Sequence, residues 1–180
     1  MNFEYVKQLG KGKEGEVWVV KANGKNCVMK QFKKTKSVNK LKREADFQAQ
    51  AAAVGITPAV LYVDEKEKRI FMEGIEHRLI DYVKQHQNNI LTEEQHHQIL
   101  NIMNTLDNLK ILHNDGNCRN LMINNDGKIY IIDYGFSRKI DAAITRKTHP
   151  NGPNIKYTMG MLSRSLRHNR ITNQLNNAII

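Results

Sequence analysis

The residues best suited to chemistry begin near the N-terminus. Gly10-Lys11-Gly12-Lys13-Glu14-Gly15-Glu16-Val17 reads G-x-G-x-x-G-x-V. Glycines in a turn leave backbone N–H groups open to phosphate oxygens, although glycines also mark ordinary turns. The flanking pattern decides. A dinucleotide-binding turn needs a strand before it and a helix after it. Here a strand follows, Glu16-Val17-Trp18-Val19-Val20-Lys21, so that reading fails. A phosphate loop of the Gly-Lys-Ser/Thr type fails as well, because Gly15 is followed by Glu16 and Val17. What remains is a glycine hairpin between two strands, whose amides can drape over the phosphates of a nucleotide.

Four further sites add to it. Lys30, in Val28-Met29-Lys30, lies on the third strand and can reach the α- and β-phosphates from beneath the hairpin. A lone lysine at a strand end ordinarily sits in water. Glu44 follows fourteen residues later on a helix and can hold that lysine as an ion pair. Its ordinary role would be an i,i+4 partner for Lys40. Asp46 points elsewhere on the helix, so Glu44 is the candidate. His113-Asn114-Asp115-Gly116-Asn117-Cys118-Arg119-Asn120 reads H-x-D-x-x-x-x-N. Asp115 can accept a hydroxyl proton, Asn120 can offer a neutral oxygen to Mg²⁺, and His113 orients the loop. Asp133-Tyr134-Gly135 ends a hydrophobic strand. A carboxylate there suits Mg²⁺, with a simple turn aspartate as the alternative.

In order and spacing these five motifs resemble the protein kinase family, over residues 10–137. The resemblance implies an α+β fold, two-lobed and kinase-like, with a five-stranded N-lobe sheet plus one helix and a truncated, mainly helical C-lobe. One domain would fill residues 1–180, with the N-lobe at about 1–73, a hinge at about 73–76 and a short C-lobe at about 77–180. Gly10, Lys11, Gly12, Gly15 and Val17 would cover ATP, and Lys30 would contact phosphate and pair with Glu44. Met72 would be the gatekeeper, with Glu73 and Ile75 at the hinge beside adenine. Asp115 would be the catalytic base, and Asn120 and Asp133 would bind Mg²⁺.

Several positions depart from the family pattern. Asn114 stands where an arginine usually reads a phosphate on the activation loop. Asn117 stands where Ser/Thr kinases carry a phosphate-contacting lysine, and Arg119 is displaced from it by two residues. Tyr134 replaces phenylalanine, and no Ala-Pro-Glu follows. With 45 residues after Gly135, the chain resembles minimal kinases: the small atypical kinases of the tRNA-modification complex, short bacterial effector kinases and small kinases of large DNA viruses. The activity implied is ATP- and Mg²⁺-dependent phosphoryl transfer to Ser/Thr of a protein. The alternatives are a nucleotide-binding pseudokinase that docks a partner, and a small-molecule phosphotransferase, which shares the H-x-D-x-x-x-x-N loop but usually adds long insertions.

The elements that must position these residues are legible in outline. Strands are expected at Val6–Leu9, Glu16–Lys21 and Asn26–Phe32, with Asn23-Gly24 as a hairpin turn. A helix starts at Ser37 and ends at Gly55, and strands follow at Ala59–Val63 and Arg69–Glu73. Helices are expected at His77–Gln87 and Glu93–Leu112, the second capped by Thr92 with Gln95 completing a capping box. A hairpin pairs Leu121–Asn124 with Lys128–Ile132, and a last helix runs near Tyr157–His168. The final dozen residues read as loose.

Composition excludes several classes. The chain has 180 residues, 40% hydrophobic and 26% charged, which fits a globular protein with a real core. No apolar run is long enough to span a membrane, and no secretory leader is visible. Two distant cysteines, Cys27 and Cys118, make neither a disulfide framework nor a cysteine zinc site. A reducing, cytoplasmic location is therefore expected, which becomes host cytoplasm or virion for an effector or viral chain. The net charge of +10 sits in two blocks. Residues 21–43 carry nine basic and no acidic side chains, and residues 138–180 carry eight basic against Asp141 alone. Such blocks attract phosphate or an acidic protein partner. Aromatics do not interleave with them, which argues against nucleic acid without closing that possibility.

Overall fold

The computed structural model describes residues 2–142, 144 and 152–172. The chain forms two compact units, Met1–Gly74 and Ile75–Ile180.

The first unit is a five-stranded antiparallel sheet with one helix. Its strands are β1 (Phe3–Lys11), β2 (Gly15–Ala22), β3 (Lys25–Phe32), β4 (Val60–Asp64) and β5 (Arg69–Met72), in the order β1-β2-β3-β5-β4. The β2–β3 turn is Asn23-Gly24, with φ of 52° and 78°, the left-handed pair whose twist matches a two-residue hairpin. Strand alternation sorts the core onto two faces. Val20, Cys27, Met29 and Phe71 pack with Phe3 and Trp18 on one. Phe32 and Ile70 pack on the other against Leu41 and Ala45 of helix α1 (Val38–Ala53). Ser37 caps α1 by accepting the Lys40 N–H at 3.2 Å. The buried face of α1 carries Leu41, Glu44, Ala45, Phe47, Gln48 and Ala51, a helical stripe with one ionisable residue in it.

The second unit begins differently from expectation. His77–Arg78 is not the start of a helix but a short strand, β6, and α2 follows at Leu79–His86. Helix α3 (Glu93–Asn108) has the expected capping box between Thr92 and Gln95, but it stops before Leu112. Ile111–Leu112 is strand β7. β8 (Leu121–Ile123) and β9 (Ile129–Ile131) form the expected hairpin, and β6 joins it in the order β6-β8-β9. β7 pairs with β10 (Arg138–Lys139). The last described helix starts earlier than Tyr157: a π-helical segment, Asn154–Met159, runs directly into α4 (Gly160–His168). Met159, Leu162 and Leu166 are buried along it, while Arg164, Arg167 and Arg170 are exposed. Of the final dozen residues expected to be loose, 169–172 are instead held, with Ile171 buried and Thr172 bonded to Asn89 and Leu91, and 173–180 lie outside the described residues. Among the described residues no helix is long and apolar enough to cross a membrane.

Candidate active site

The glycine string forms the β1–β2 hairpin. Gly10 and Lys11 close β1, Gly15 opens β2, and Gly12 N–H donates to the Gly15 carbonyl at 2.8 Å. A side chain at Gly15 would overlap the Gln31 carbonyl of β3, so glycine is required there by close packing. At Gly10 and Gly12 a side chain would begin in open space. Their lack of a Cβ serves no internal packing, and it leaves the backbone accessible to a phosphate. Lys11 Nζ pairs with Glu16 at 2.9 Å on the exposed side of the hairpin.

Val17 stands opposite Lys30 in the β2–β3 register, and Val28 stands opposite Met72 in the β3–β5 register. The sheet thus aligns the hairpin, the lysine strand and the strand that leads to Glu73. Lys30 and Glu44 are both buried and meet at 2.5 Å. Two buried charges hold in an interior only when paired in good geometry. Met72 Sδ accepts from Gln48 Nε2 at 3.5 Å. Glu73 is tied to Ala59 twice, by its own N–H at 3.0 Å and by its carboxylate, which accepts the Ala59 N–H at 3.1 Å. Ile75 opens the second unit and is half-buried.

In the second unit the H-x-D-x-x-x-x-N string follows β7 as a loop that ends in the short turn Cys118–Asn120. Asn120 Nδ2 donates to Asp115 Oδ2 at 2.9 Å, which fixes the carboxylate and leaves the Asn120 amide oxygen available as a ligand. The Asn120 carbonyl accepts the Ile132 N–H at 2.9 Å, so the loop is stitched to the residue preceding Asp133. Asp133 adopts a left-handed backbone with φ 68°, and its Oδ1 accepts the Gly135 N–H at 3.4 Å. His113 is wholly buried and donates its Nε2–H to the Ile132 carbonyl at 3.1 Å. Burial holds its imidazole below the ordinary range despite the pull of Asp115 and Asp133, so it stays neutral. Tyr134 packs edge-on against that ring at 5.0 Å.

Asn120 and Asp133 are hard oxygen donors, the kind a divalent cation that also keeps waters and phosphate oxygens requires. Among the described residues no cluster of three or more His, Cys, Asp or Glu is present. Two oxygen donors of this kind would suit a Mg²⁺ that takes its remaining ligands from water and phosphate.

Several supporting residues carried no sequence signal. Asn154 is wholly buried. Its Nδ2 donates to Asp107 Oδ1 and to the Ile111 carbonyl, each at 2.7 Å, and its Oδ1 accepts the His113 N–H at 3.0 Å. Thr158, also wholly buried, donates to Asn154 Oδ1 at 2.9 Å and accepts the Asn114 N–H at 3.3 Å. Ser165 on α4 accepts the Cys118 N–H at 3.1 Å. A Cβ on Gly116 would run into the Thr158 carbonyl and the Leu162 nitrogen, so the loop lies directly on this helix. Glu14, an unassigned position of the glycine string, reaches Lys36 at 3.1 Å and Lys40 at 2.5 Å.

A sequence model of the protein kinase domain matches residues 3–154, and the chain belongs to that family. Among individual proteins it is similar to the Aurora kinase of Candida glabrata, 29% identical over 158 residues that cover 82% of this chain and 44% of the relative. The Aurora kinase of Saccharomyces cerevisiae is 28% identical over 147 residues, covering 76% of this chain and 40% of the relative. That of Eremothecium gossypii is 27% identical over 158 residues, 82% and 43% respectively. The chain thus spans less than half the length of these relatives.

Proposed function

We propose that this chain is a minimal, atypical serine/threonine protein kinase, a single kinase-like domain with its N-lobe at about 1–73, hinge at about 73–76 and C-lobe at about 77–180. ATP and Mg²⁺ are its cofactors and the cytoplasm its place of work. The observation that carries the reading is the buried Lys30–Glu44 pair on the sheet that bears the glycine hairpin. A buried lysine held by a buried glutamate, beside glycines with no internal packing role, makes sense as a phosphate contact kept in position.

The roles follow from the chain's own groups. Hairpin amides and Lys30 hold the phosphates, with Lys11 and Val17 contributing to the cover. Met72, Glu73 and Ile75 border the adenine. Asn120 and Asp133 hold Mg²⁺, which neutralises phosphate charge when bound. Asp115, fixed by Asn120, accepts the proton of the acceptor hydroxyl as its oxygen bonds to the γ-phosphorus and the bond to the departing ADP breaks. The acceptor is a protein segment with acidic character, drawn by the exposed arginines of α4. Similarity to Aurora kinases over about four-fifths of this chain supports Ser/Thr as acceptor.

The test is transfer of label from [γ-³²P]ATP with Mg²⁺ to a generic acidic protein substrate, followed by phosphoamino-acid analysis. Asp115→Asn, Lys30→Met and Asp133→Asn should each lower the rate roughly a hundredfold or more while the fold persists. Label on Ser/Thr in the wild type is the expected result. Near wild-type transfer in the three variants would sink the assignment. ATP binding without transfer would favour a pseudokinase, and label on a small molecule alone a small-molecule phosphotransferase.

A further inference from the structure

Helix α1 does two jobs one turn apart. Glu44 on its inner face holds Lys30. Lys40, four residues earlier and therefore on the same face, reaches across to Glu14 Oε2 at 2.5 Å. Lys36, just before the Ser37 cap, reaches Glu14 Oε1 at 3.1 Å. The Glu14 carbonyl also accepts the Lys33 N–H at 3.0 Å. The 33–36 turn is itself pinned, since Lys68 Nζ donates to the carbonyls of Lys34 and Lys36 at 2.6 Å each.

Glu14 sits at the tip of the glycine hairpin, between Gly12 and Gly15. Its carboxylate and both ammonium groups are about a quarter exposed or less: 20% for Glu14, 27% for Lys36 and 23% for Lys40. Burial pushes the Glu14 carboxyl up, and the Lys40 and Lys36 ammonium groups more than reverse it, holding it below the ordinary carboxylate range. The carboxylate is thus charged and doubly held. A hairpin with open space at Gly10 and Gly12 has no side-chain packing of its own there to set its height above the sheet.

We infer that Glu14 is a positioning residue: its link to Lys36 and Lys40 fastens the phosphate-covering hairpin to α1, so that the hairpin and the Lys30–Glu44 pair keep a fixed relation to each other. The inference rests on the nucleotide-binding role proposed above and adds how the hairpin is held. It makes a prediction of sign. If Glu14 acted only through its charge, removing it would leave Lys11 and Lys13 less opposed and tighten a polyanionic ligand. As a tether, its removal frees the hairpin and weakens that ligand, because ordering the hairpin then falls on the ligand's own binding energy.

The experiment is isothermal titration of ATP with Mg²⁺, and separately of adenosine, into the full chain as wild type, Glu14→Gln, Lys40→Met and the double variant. Thermal melts confirm folding, and Lys36→Met replaces either single variant that melts below the assay temperature. Glu14→Gln should weaken ATP by roughly three- to tenfold, the range expected of a partly screened ion-pair network. Adenosine should bind within about twofold of wild type, since it offers no phosphate to the hairpin. The double variant should be no weaker than the poorer single one, because both cut the same link. Unchanged or tighter ATP binding by Glu14→Gln, or losses that simply add in the double variant, overturns the inference while leaving the nucleotide reading intact. A wild type that does not bind ATP takes down both.

Discussion

The side-chain oxygen of Asn154 accepts the backbone N–H of His113 at 3.0 Å, two residues before Asp115. The same side chain donates to Asp107 and to the Ile111 carbonyl, so it joins α3, β7 and the H-x-D loop through one wholly buried amide. Asn154→Ala should leave several of these groups buried without partners, at about 1–3 kcal/mol each, and should lower the melting temperature by several degrees. It should also lower kcat more than the KM for ATP, since it loosens the loop that carries Asp115. Asn154→Asp gives a sharper reading. A second carboxylate would then face Asp107, whose own carboxyl burial already pushes up. A folded-state pKa raised in this way contributes stability that is present at low pH and lost as pH rises. The melting temperature of that variant should therefore recover on acidification toward pH 5, and by more than that of Asn154→Ala, in which only the Asp107 carboxyl is raised.

A second prediction concerns regulation. The backbone N–H of Asn114 is held by Thr158, its φ is 61°, and its side chain carries no charge. It cannot form the charge-assisted pair by which an arginine there reads a phosphate. Activity should be independent of phosphorylation in the segment after Gly135. Initial rates before and after phosphatase treatment, with the phosphatase removed, should agree. A large loss restored by rephosphorylation would contradict this.

The third prediction is a pH dependence of stability. His96 lies on the buried face of α3, and its pKa is pushed below the ordinary value by burial first and by the neighbouring His97 next, with Glu93 opposing. The neutral form is therefore favoured in the folded state. Between that lowered value and the ordinary value near 6.5 the unfolded chain binds the extra proton, so stability is full above about pH 6.5 and falls as pH drops. Denaturant midpoints measured from pH 7.5 to 5.5 should fall for the wild type. They should fall less for His96→Leu. Equal slopes would remove His96 as the cause.

Local signals in the sequence carried much of the fold. The Asn23-Gly24 turn, the Ser37 cap and the Thr92 capping box all act within a few residues, and each element they start is found. What the sequence concealed depends on distant partners. His77–Arg78 reads as helix until Met122 and Ile123 arrive beside it, and Ile111–Leu112 leaves the helical pattern because Lys139 and Arg138 pair with it. Pairing of that range overrides local propensity. Lys30 and Glu44 were legible because their spacing is fixed by a strand and a helix. Asn154 and Thr158 carry no local signal, since their burial exists only once α3, the loop and α4 have packed. Glu14 had no signal at all, being any residue of a glycine string until Lys36 and Lys40 meet it.

The last prediction concerns the acceptor. Between residues 152 and 172 the chain carries Lys156, Arg164, Arg167 and Arg170 and no acidic side chain. The buried residues Met159, Leu162 and Leu166 turn one side of the helix inward, and the three arginines stand exposed at three-residue spacing. Ser165, flanked by this series, binds the Cys118 backbone in the loop that ends at Asn120, and Arg119 of that loop is itself exposed. The basic face is thus joined to the loop bearing Asp115 through Ser165 and, one element earlier, through Thr158, which accepts the Asn114 N–H. An acidic protein segment would be attracted to it, and that attraction should weaken with salt, because exposed charges are screened beyond ~8–10 Å at physiological ionic strength. Arg164→Glu, Arg167→Glu and Arg170→Glu together should raise KM for an acidic protein substrate by about tenfold, the sum of three modest surface terms and their reversal. The KM for ATP should hold, because its proposed contacts lie on other residues. Competition by an oligonucleotide stronger than by an acidic peptide would instead assign the face to nucleic acid. An unchanged KM in the folded triple variant would leave these arginines as the solvated side of a supporting helix.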